Sequence, residues 1–190
     1  MEYIIIIIST IFINNIVLAK FLGICPFLGV SKNTSTAVGM GGAVIFVMTI
    51  ATIMTYLVQH YILIPLDIEY LQTVTYILVI AFLVQVVEIV LKKVSPDLYQ
   101  ALGVYLPLIT TNCAILGVAI LVIQNDFNLL QSVTFAIGNA IGFTLAIAIF
   151  SSLREQLENA DLPEYMQGVP AALITASILS MAFMGFAGLV

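Results

Sequence analysis

The sequence predicts an all-α integral membrane protein with six transmembrane helices, arranged as two inverted three-helix repeats. Three observations support this fold class: an extreme apolar composition, six separate apolar stretches, and a cysteine-containing hexapeptide that occurs once in each half. Of the 190 residues, 62% are hydrophobic and 8% are charged, and the mean hydropathy is +1.19. A soluble domain carries about 25% charged residues, so this chain has too few charges to cover a water-facing surface.

The apolar stretches have the length of membrane spans, since a helix needs about 20 mostly apolar residues to cross the hydrocarbon core. We expect the spans at 3–24, 37–60, 70–91, 100–123, 129–150 and 169–189. The polar or turn-forming segments between them are 31–36, 65–69, 92–97, 124–126 and 151–167. No positively charged residue precedes the first stretch, so we interpret it as a retained span rather than a cleaved signal.

The basic residues predict the orientation. Lys32 lies in the first loop, Lys92 and Lys93 lie in the third, and Arg154 lies in the fifth. Because loops rich in lysine and arginine face the cytoplasm, loops 1, 3 and 5 are expected inside and both termini outside a bacterial or archaeal cytoplasmic (inner) membrane. The net charge of −5 argues against nucleic acid as a partner, which leaves membrane lipid and other proteins.

The repeated hexapeptide is Cys25-Pro26-Phe27-Leu28-Gly29-Val30 in the first half and Cys113-Ala114-Ile115-Leu116-Gly117-Val118 in the second. The two copies belong to the first and the fourth span, an odd number of positions apart, so they run in opposite directions through the membrane. We therefore predict a single membrane domain with one repeat at about 1–93 and the other at about 97–190. Inverted repeats of this kind place binding sites near the bilayer midplane, at discontinuous helices.

Both cysteines are expected where helices are broken. Glycine tolerates unusual backbone dihedrals, and proline removes a backbone donor. These residues flank the cysteines as Gly23 and Pro26, and as Pro107 and Gly117. The polar residues Thr110, Thr111 and Asn112 directly precede Cys113. Backbone groups freed at membrane depth must line a cavity or pack on protein, so the first and fourth spans are predicted to be discontinuous.

Two thiols at equivalent points of two repeats have several interpretations. Free cysteine often serves as a small packing residue, and a disulfide within the bilayer would constrain no evident loop. A metal centre is the more specific hypothesis. Iron–sulfur clusters usually take four thiolate ligands, whereas this chain has two cysteines, so a cluster would require a second chain.

Residues 18–30, LAKFLGICPFLGV, and 106–118, LPLITTNCAILGV, resemble the signature segments of the A subunit of the Rnf electron transport complex. The related E subunit of the sodium-pumping NADH:quinone reductase, Nqr, belongs to the same family. The resemblance covers essentially the whole chain, including its length and its six predicted spans.

The resemblance implies that Cys25 and Cys113 are ligands of a [2Fe–2S] cluster within the membrane. It implies two further cysteine ligands from a homologous six-helix subunit of opposite topology. The family's complexes couple electron transfer between ferredoxin and NAD, or from NADH to quinone in Nqr, to translocation of Na⁺ or H⁺. The sequence has no G-x-G-x-x-G and no P-loop, so flavins, nucleotides and further iron–sulfur clusters are assigned to other subunits.

Several other residues have competing interpretations. Lys20 either reaches the cytoplasmic headgroups or lies near the proposed cluster. Glu88 either pairs with Lys92 across one helical turn or marks an ion path. Asn14 and Asn15 are expected either to form hydrogen bonds between helices or to line an ion route. Close packing is expected at Gly138 and Gly142, and an interfacial position at His60.

Two rival functions remain open from the sequence. The first is a small secondary transporter with inverted repeats, in which broken helices bind a solute and the cysteines only pack. The second is a passive membrane anchor. Both rivals predict that the cysteines are dispensable, whereas the redox hypothesis requires them.

Overall fold

A computed structural model describes residues 2–94, 106–159 and 163–185, and all regular secondary structure in these ranges is helical. The α-helices are α1 (Glu2–Ile8), α2 (Ile24–Gly29), α3 (Thr34–Val58), α4 (Ile64–Leu66), α5 (Gln72–Val94), α6 (Leu106–Thr110), α7 (Cys113–Gln124), α8 (Leu129–Glu158) and α9 (Val169–Met184). Two π-helical turns, Ser9–Ile13 and Gln59–Leu63, extend α1 and join α3 to α4. Short 3₁₀ turns lie at Glu69–Leu71 and Glu164–Met166.

The helices confirm a multi-pass membrane protein. Four helical stretches in the described ranges are long and apolar enough to cross a membrane: Thr34–Leu66, Gln72–Val90, Pro107–Gln124 and Leu129–Glu158. Two shorter apolar helices, Tyr3–Ile13 and Val169–Met184, occupy the first and last positions. These six segments follow the order of the six predicted spans, and the six-span, inverted-repeat arrangement itself stays a prediction.

Close packing against α8 forms the centre of the bundle. A Cβ added to Gly41 on α3 would overlap the side chain of Thr144 on α8. Gly138 leaves room in the same way for the side chain of Thr10, and a Cβ on Gly142 would lie 3.1 Å from the Thr10 carbonyl oxygen. The small residues therefore let the backbones approach closely, which confirms the packing role predicted for Gly138 and Gly142.

Two predicted boundaries differ from the structure. The fifth loop was expected at 151–167, but α8 continues to Glu158, because its last turns are held by the first loop. There the Glu155 carboxylate accepts hydrogen bonds from the backbone N–H and the hydroxyl of Thr34, both at 2.9 Å. The second loop, expected at 65–69, begins later because helix continues through Leu66. The predicted turn around Pro96 lies outside the described residues.

Candidate functional site

The first predicted span, 3–24, is not one helix. Regular helix ends at Ile13, residues 14–23 form turns, and α2 then begins at Ile24. Asn15 organises this interruption, because its Oδ1 accepts hydrogen bonds from the backbone N–H groups of Val17 at 3.0 Å and Leu18 at 3.3 Å. The side chain thus replaces the carbonyl partners that a continuous helix would supply.

Neighbouring helices complete the hydrogen bonding of this interruption. The Nδ2 group of Asn15 donates to the carbonyl oxygen of Gly142 on α8 at 2.9 Å, which confirms the helix–helix hydrogen bond expected for Asn15. The hydroxyl of Ser180 on α9 donates to the Leu18 carbonyl oxygen at 2.6 Å. Freed backbone groups are thereby satisfied by protein, as an apolar environment requires.

A second interruption separates α6 from α7. Thr111 and Asn112 lie between the two helices, and Asn112 is the N-cap of α7, since its Oδ1 accepts a hydrogen bond from the backbone N–H of Ala114 at 3.0 Å. Cys113 is the first residue of α7. The predicted breaks next to both cysteines are therefore present in the structure.

The two interruptions are in direct contact. The backbone N–H of Gly23 donates a hydrogen bond to the Sγ atom of Cys113 at 2.9 Å. Gly23 has a left-handed φ of +81°, and a Cβ added there would lie 3.1 Å from Ala114 Cβ and 3.2 Å from Asn112 Oδ1. The structure therefore brings the segment that leads into Cys25 against the residues around Cys113.

The two thiols occupy equivalent positions. Cys25 is the second residue of α2 and Cys113 is the first residue of α7, so each lies in the first turn of a helix that follows an interruption. Both are free thiols; Cys25 is exposed and Cys113 is half-buried. In the part of the chain that the structure describes, no group of three or more His, Cys, Asp or Glu side chains lies together as a metal site. The pair thus offers two sulfur ligands, one of them accessible from outside this chain.

Asn112, the residue directly before Cys113, has a buried side-chain amide with a donor that the described residues leave unpaired. Asn112 is 3% exposed, and its Nδ2 has no hydrogen-bond partner among the described residues. An unpaired buried donor costs about 1–3 kcal/mol, so the feature calls for an explanation. The Gly23 N–H is the donor that the structure shows at the Cys113 sulfur, and such a contact suits a sulfur that carries negative charge.

Lys20 is exposed and lines a cavity of about 370 Å³. The cavity walls include Asn14 and Asn139, and also Asn125 at the far end of α7 from Cys113. The lysine therefore lies toward the fourth loop, and both of its interpretations, a headgroup contact and a position near the proposed cluster, stay predictions.

The remaining sequence expectations have mixed outcomes. Asn14 is exposed and donates to Ser9 Oγ at 3.1 Å within its own segment, so the expected bond between helices forms only at Asn15. His60 is exposed in the turn after α3, with its ring centroid 6.1 Å from that of Tyr56. Glu88 is half-buried on α5, and its pairing with Lys92 stays a prediction.

The fold and the site together define a multi-pass helical membrane protein with a pair of thiols at two facing helix interruptions. Residues 3–190 match the family described as "Rnf-Nqr subunit, membrane protein". The chain belongs to this family.

Three relatives are similar to this chain over its full length. The chain is 58% identical to the A subunit of the Na⁺-translocating ferredoxin:NAD⁺ oxidoreductase complex of Acetobacterium woodii. It is 56% identical to the A subunit of the ion-translocating oxidoreductase complex of Actinobacillus pleuropneumoniae and 53% identical to the protein of that name in Vibrio cholerae. Each match covers 100% of this chain and 98% of the relative.

Proposed function

We propose that this chain is the A subunit of an Rnf-type, ion-translocating ferredoxin:NAD⁺ oxidoreductase and carries electrons across the membrane through a shared [2Fe–2S] cluster. The names of the full-length relatives support the complex. One structural observation supports the redox role of this chain: the hydrogen bond from the Gly23 N–H to Cys113 Sγ, which holds the two cysteine-bearing interruptions together.

The residues fit half of such a cluster. Cys25 and Cys113 would supply two of the four thiolates that a [2Fe–2S] cluster takes. The exposed Cys25 leaves the site open on one side, where a homologous six-helix subunit of opposite topology would contribute the other two. When bound, the cluster supplies reversible one-electron transfer.

This chain's own residues would hold and tune the site. Asn15 and Ser180 satisfy the backbone of the first interruption, which keeps Cys25 on a defined path. The Gly23 N–H donates to the Cys113 sulfur and stabilises negative charge there. Flavins, nucleotides and the remaining clusters would belong to other subunits of the complex, in the cytoplasmic membrane.

Coupling to Na⁺ or H⁺ would follow from the charge at this site. An electron on a cluster held by Cys25 and Cys113 would change the charge at this site, and would favour whichever arrangement of the helices binds that charge better. Structures of the oxidised and reduced complex test this step. Helix positions that are identical in the two states would contradict it.

Substitution of the two cysteines tests the redox function. In the purified complex, Cys25→Ser and Cys113→Ser are each expected to abolish the visible absorbance and the electron paramagnetic resonance (EPR) signal of the membrane cluster, because each removes one thiolate. Thr111→Ser, which keeps the hydroxyl that donates to the Pro107 carbonyl oxygen, serves as the matched control and should retain both signals.

Other outcomes of this experiment identify the rivals. A colourless wild-type complex that moves a solute would indicate the transporter. Full electron-transfer activity in Cys25→Ala and Cys113→Ala variants would indicate a passive anchor. Assays with NAD⁺ and with a quinone as acceptor then distinguish an Rnf-type complex from an Nqr-type complex.

A further inference from the structure

The end of α8 contacts the polypeptide that carries Cys25. Four of its residues, spaced as one face of a helix, meet residues 27–34: Phe150, Ser151, Arg154 and Glu155. The rings of Phe150 and Phe27 stack with their centroids 4.3 Å apart and an interplanar angle of 19°. Phe150 and Arg154 contact α2 itself, whereas Ser151 and Glu155 bond Thr34, which lies beyond the end of α2.

Arg154 makes the charged contact with α2. It is 8% exposed, and its Nη1 donates to the Leu28 carbonyl oxygen at 2.8 Å and to Ser31 Oγ at 3.0 Å. Leu28 lies in the last turn of α2, where a cation interacts favourably with the helix dipole and with carbonyl groups that lack partners within the helix. A hydrogen bond from a charged donor is also stronger than a neutral one.

The length of α2 connects this contact to the thiol. The helix has six residues, about 9 Å at 1.5 Å per residue. A helix this short is marginal without tertiary contacts. Cys25 lies in its first turn and the carbonyl held by Arg154 lies in its last. A displacement of one end of α2 therefore moves the other.

We infer that Arg154 is a positioning residue for Cys25: its guanidinium group holds the C-terminal end of α2 and thereby sets the place of the thiol at the helix's other end. Any effect of Arg154 on a bound cluster rests on the proposed function. Its effect on the position of the Cys25 thiol does not, because that effect follows from the contacts of α2 alone.

The position of the thiol can be measured without a cluster, since the two native cysteines are the only ones in the sequence. Nitroxide labels on Cys25 and on a cysteine introduced at the exposed Gln124, in a Cys113→Ser background of the full, iron-free chain, report the distance between these two positions by dipolar EPR. Arg154→Gln is expected to increase the population of displaced α2 about tenfold, because a charge-assisted hydrogen bond is lost. The distance distribution should then gain a second component.

Three further variants separate positioning from general stability. Arg154→Lys keeps the charge and one donor, and should restore most of the wild-type distribution. Ser31→Ala removes one of the two acceptors, and should produce a smaller change of the same kind if Arg154→Gln does not fold. Glu155→Ala is the control: it removes the contacts with Thr34, which lies beyond α2, and should leave the distance unchanged.

In the assembled complex, iron content and the reduction midpoint potential provide the second measurement. Loss of a residue that orients a ligand typically lowers metal affinity about 10-fold to 100-fold, and Arg154→Gln is expected to do so. A wild-type distance distribution in Arg154→Gln would overturn the inference, as would equal changes in Arg154→Gln and Glu155→Ala. A wild-type complex without iron would contradict the proposed function, while the labelled chain would still decide the role of Arg154.

Discussion

Gly23 satisfies two requirements at the point where the interruptions meet. Its φ of +81° belongs to the left-handed region, which costs other residues about 1–2 kcal/mol. Its missing side chain also makes room for Asn112 and Ala114, which a Cβ would approach to 3.2 Å and 3.1 Å. Only glycine meets both requirements while directing a backbone N–H at the sulfur of Cys113.

Gly23→Ala is therefore expected to weaken the hydrogen bond to Cys113. The loss of a donor to the sulfur should move the midpoint potential of the cluster to more negative values, because the reduced state carries more negative charge. The chain should also lose about 1–2 kcal/mol of stability. An EPR-monitored redox titration and a thermal unfolding curve measure the two effects.

Gly29→Ala provides the control for Gly23→Ala. An added Cβ at Gly29 would meet Leu108 Cδ1 at 3.4 Å, which is an ordinary contact, so both measurements should stay near wild type. An unchanged midpoint potential in Gly23→Ala would contradict the role assigned to its N–H group.

The sequence predicted the site at the level of residue types but not its contacts. Cys25 and Cys113 were identifiable because they are the only cysteines and open similar hexapeptides. The bond from Gly23 to Cys113 joins residues 90 positions apart, and no local pattern records which acceptor a freed N–H will reach. Asn112 is recognisable from the sequence as a polar residue directly before Cys113. Its position directly before an apolar helix is also a typical N-cap signal, which would have located the start of α7.

At the scale of elements, Gly23 and Pro26 predicted a break in the first span, but hydropathy did not show that the interruption extends over residues 14–23. The interrupted segment is as apolar as a helix because it is buried: Ile16, Val17 and Leu18 are at most 2% exposed. The segment also holds Phe21 at a φ of +54°, an uncommon conformation for a bulky residue. The polar pair Asn14-Asn15 within this apolar stretch was the sequence signal for the point where the interruption begins.

Asn15 is expected to contribute more to the stability of this interruption than any exposed neighbour. Asn15→Leu would leave the N–H groups of Val17 and Leu18 and the carbonyl oxygen of Gly142 without their partner. Each buried polar group left unpaired costs about 1–3 kcal/mol. Thermal unfolding of the purified chain in detergent should show a large loss, or the protein should fail to accumulate.

Asn14→Leu is the matched comparison for Asn15→Leu, since it changes the adjacent residue in the same way. Asn14 is exposed and bonds only within its own segment, so its replacement should change stability by no more than about 0.5 kcal/mol. Equal losses in the two variants would show that hydrogen bonding by Asn15 does not hold the interruption.

For the whole molecule, the packing brings the first loop and the C-terminal end of α8, which both carry basic residues, to the same end of the bundle. Thr34, at the end of the first loop, bonds Glu155 at 2.9 Å, and Arg154 bonds Ser31. Lys32 and the end of α8 therefore lie at the same end of the bundle. Contacts inside a helical bundle are identical whichever way the bundle is inserted, so they do not indicate its orientation. The basic residues at this end predict that this end faces the cytoplasm.

Accessibility of single cysteines tests this orientation. In a background with serine at positions 25 and 113, Lys32→Cys and Glu158→Cys should react with a membrane-impermeant maleimide only after the cells are permeabilised. Tyr70→Cys and Gln124→Cys, which are at exposed positions of the second and fourth loops, should react in intact cells. A membrane-permeant maleimide should label all four and serves as the control. Labelling of Lys32→Cys in intact cells would show that the orientation is the opposite one. Labelling of Lys32→Cys and Gln124→Cys from the same side would contradict the six-span arrangement, because an odd number of crossings must separate the first loop from the fourth.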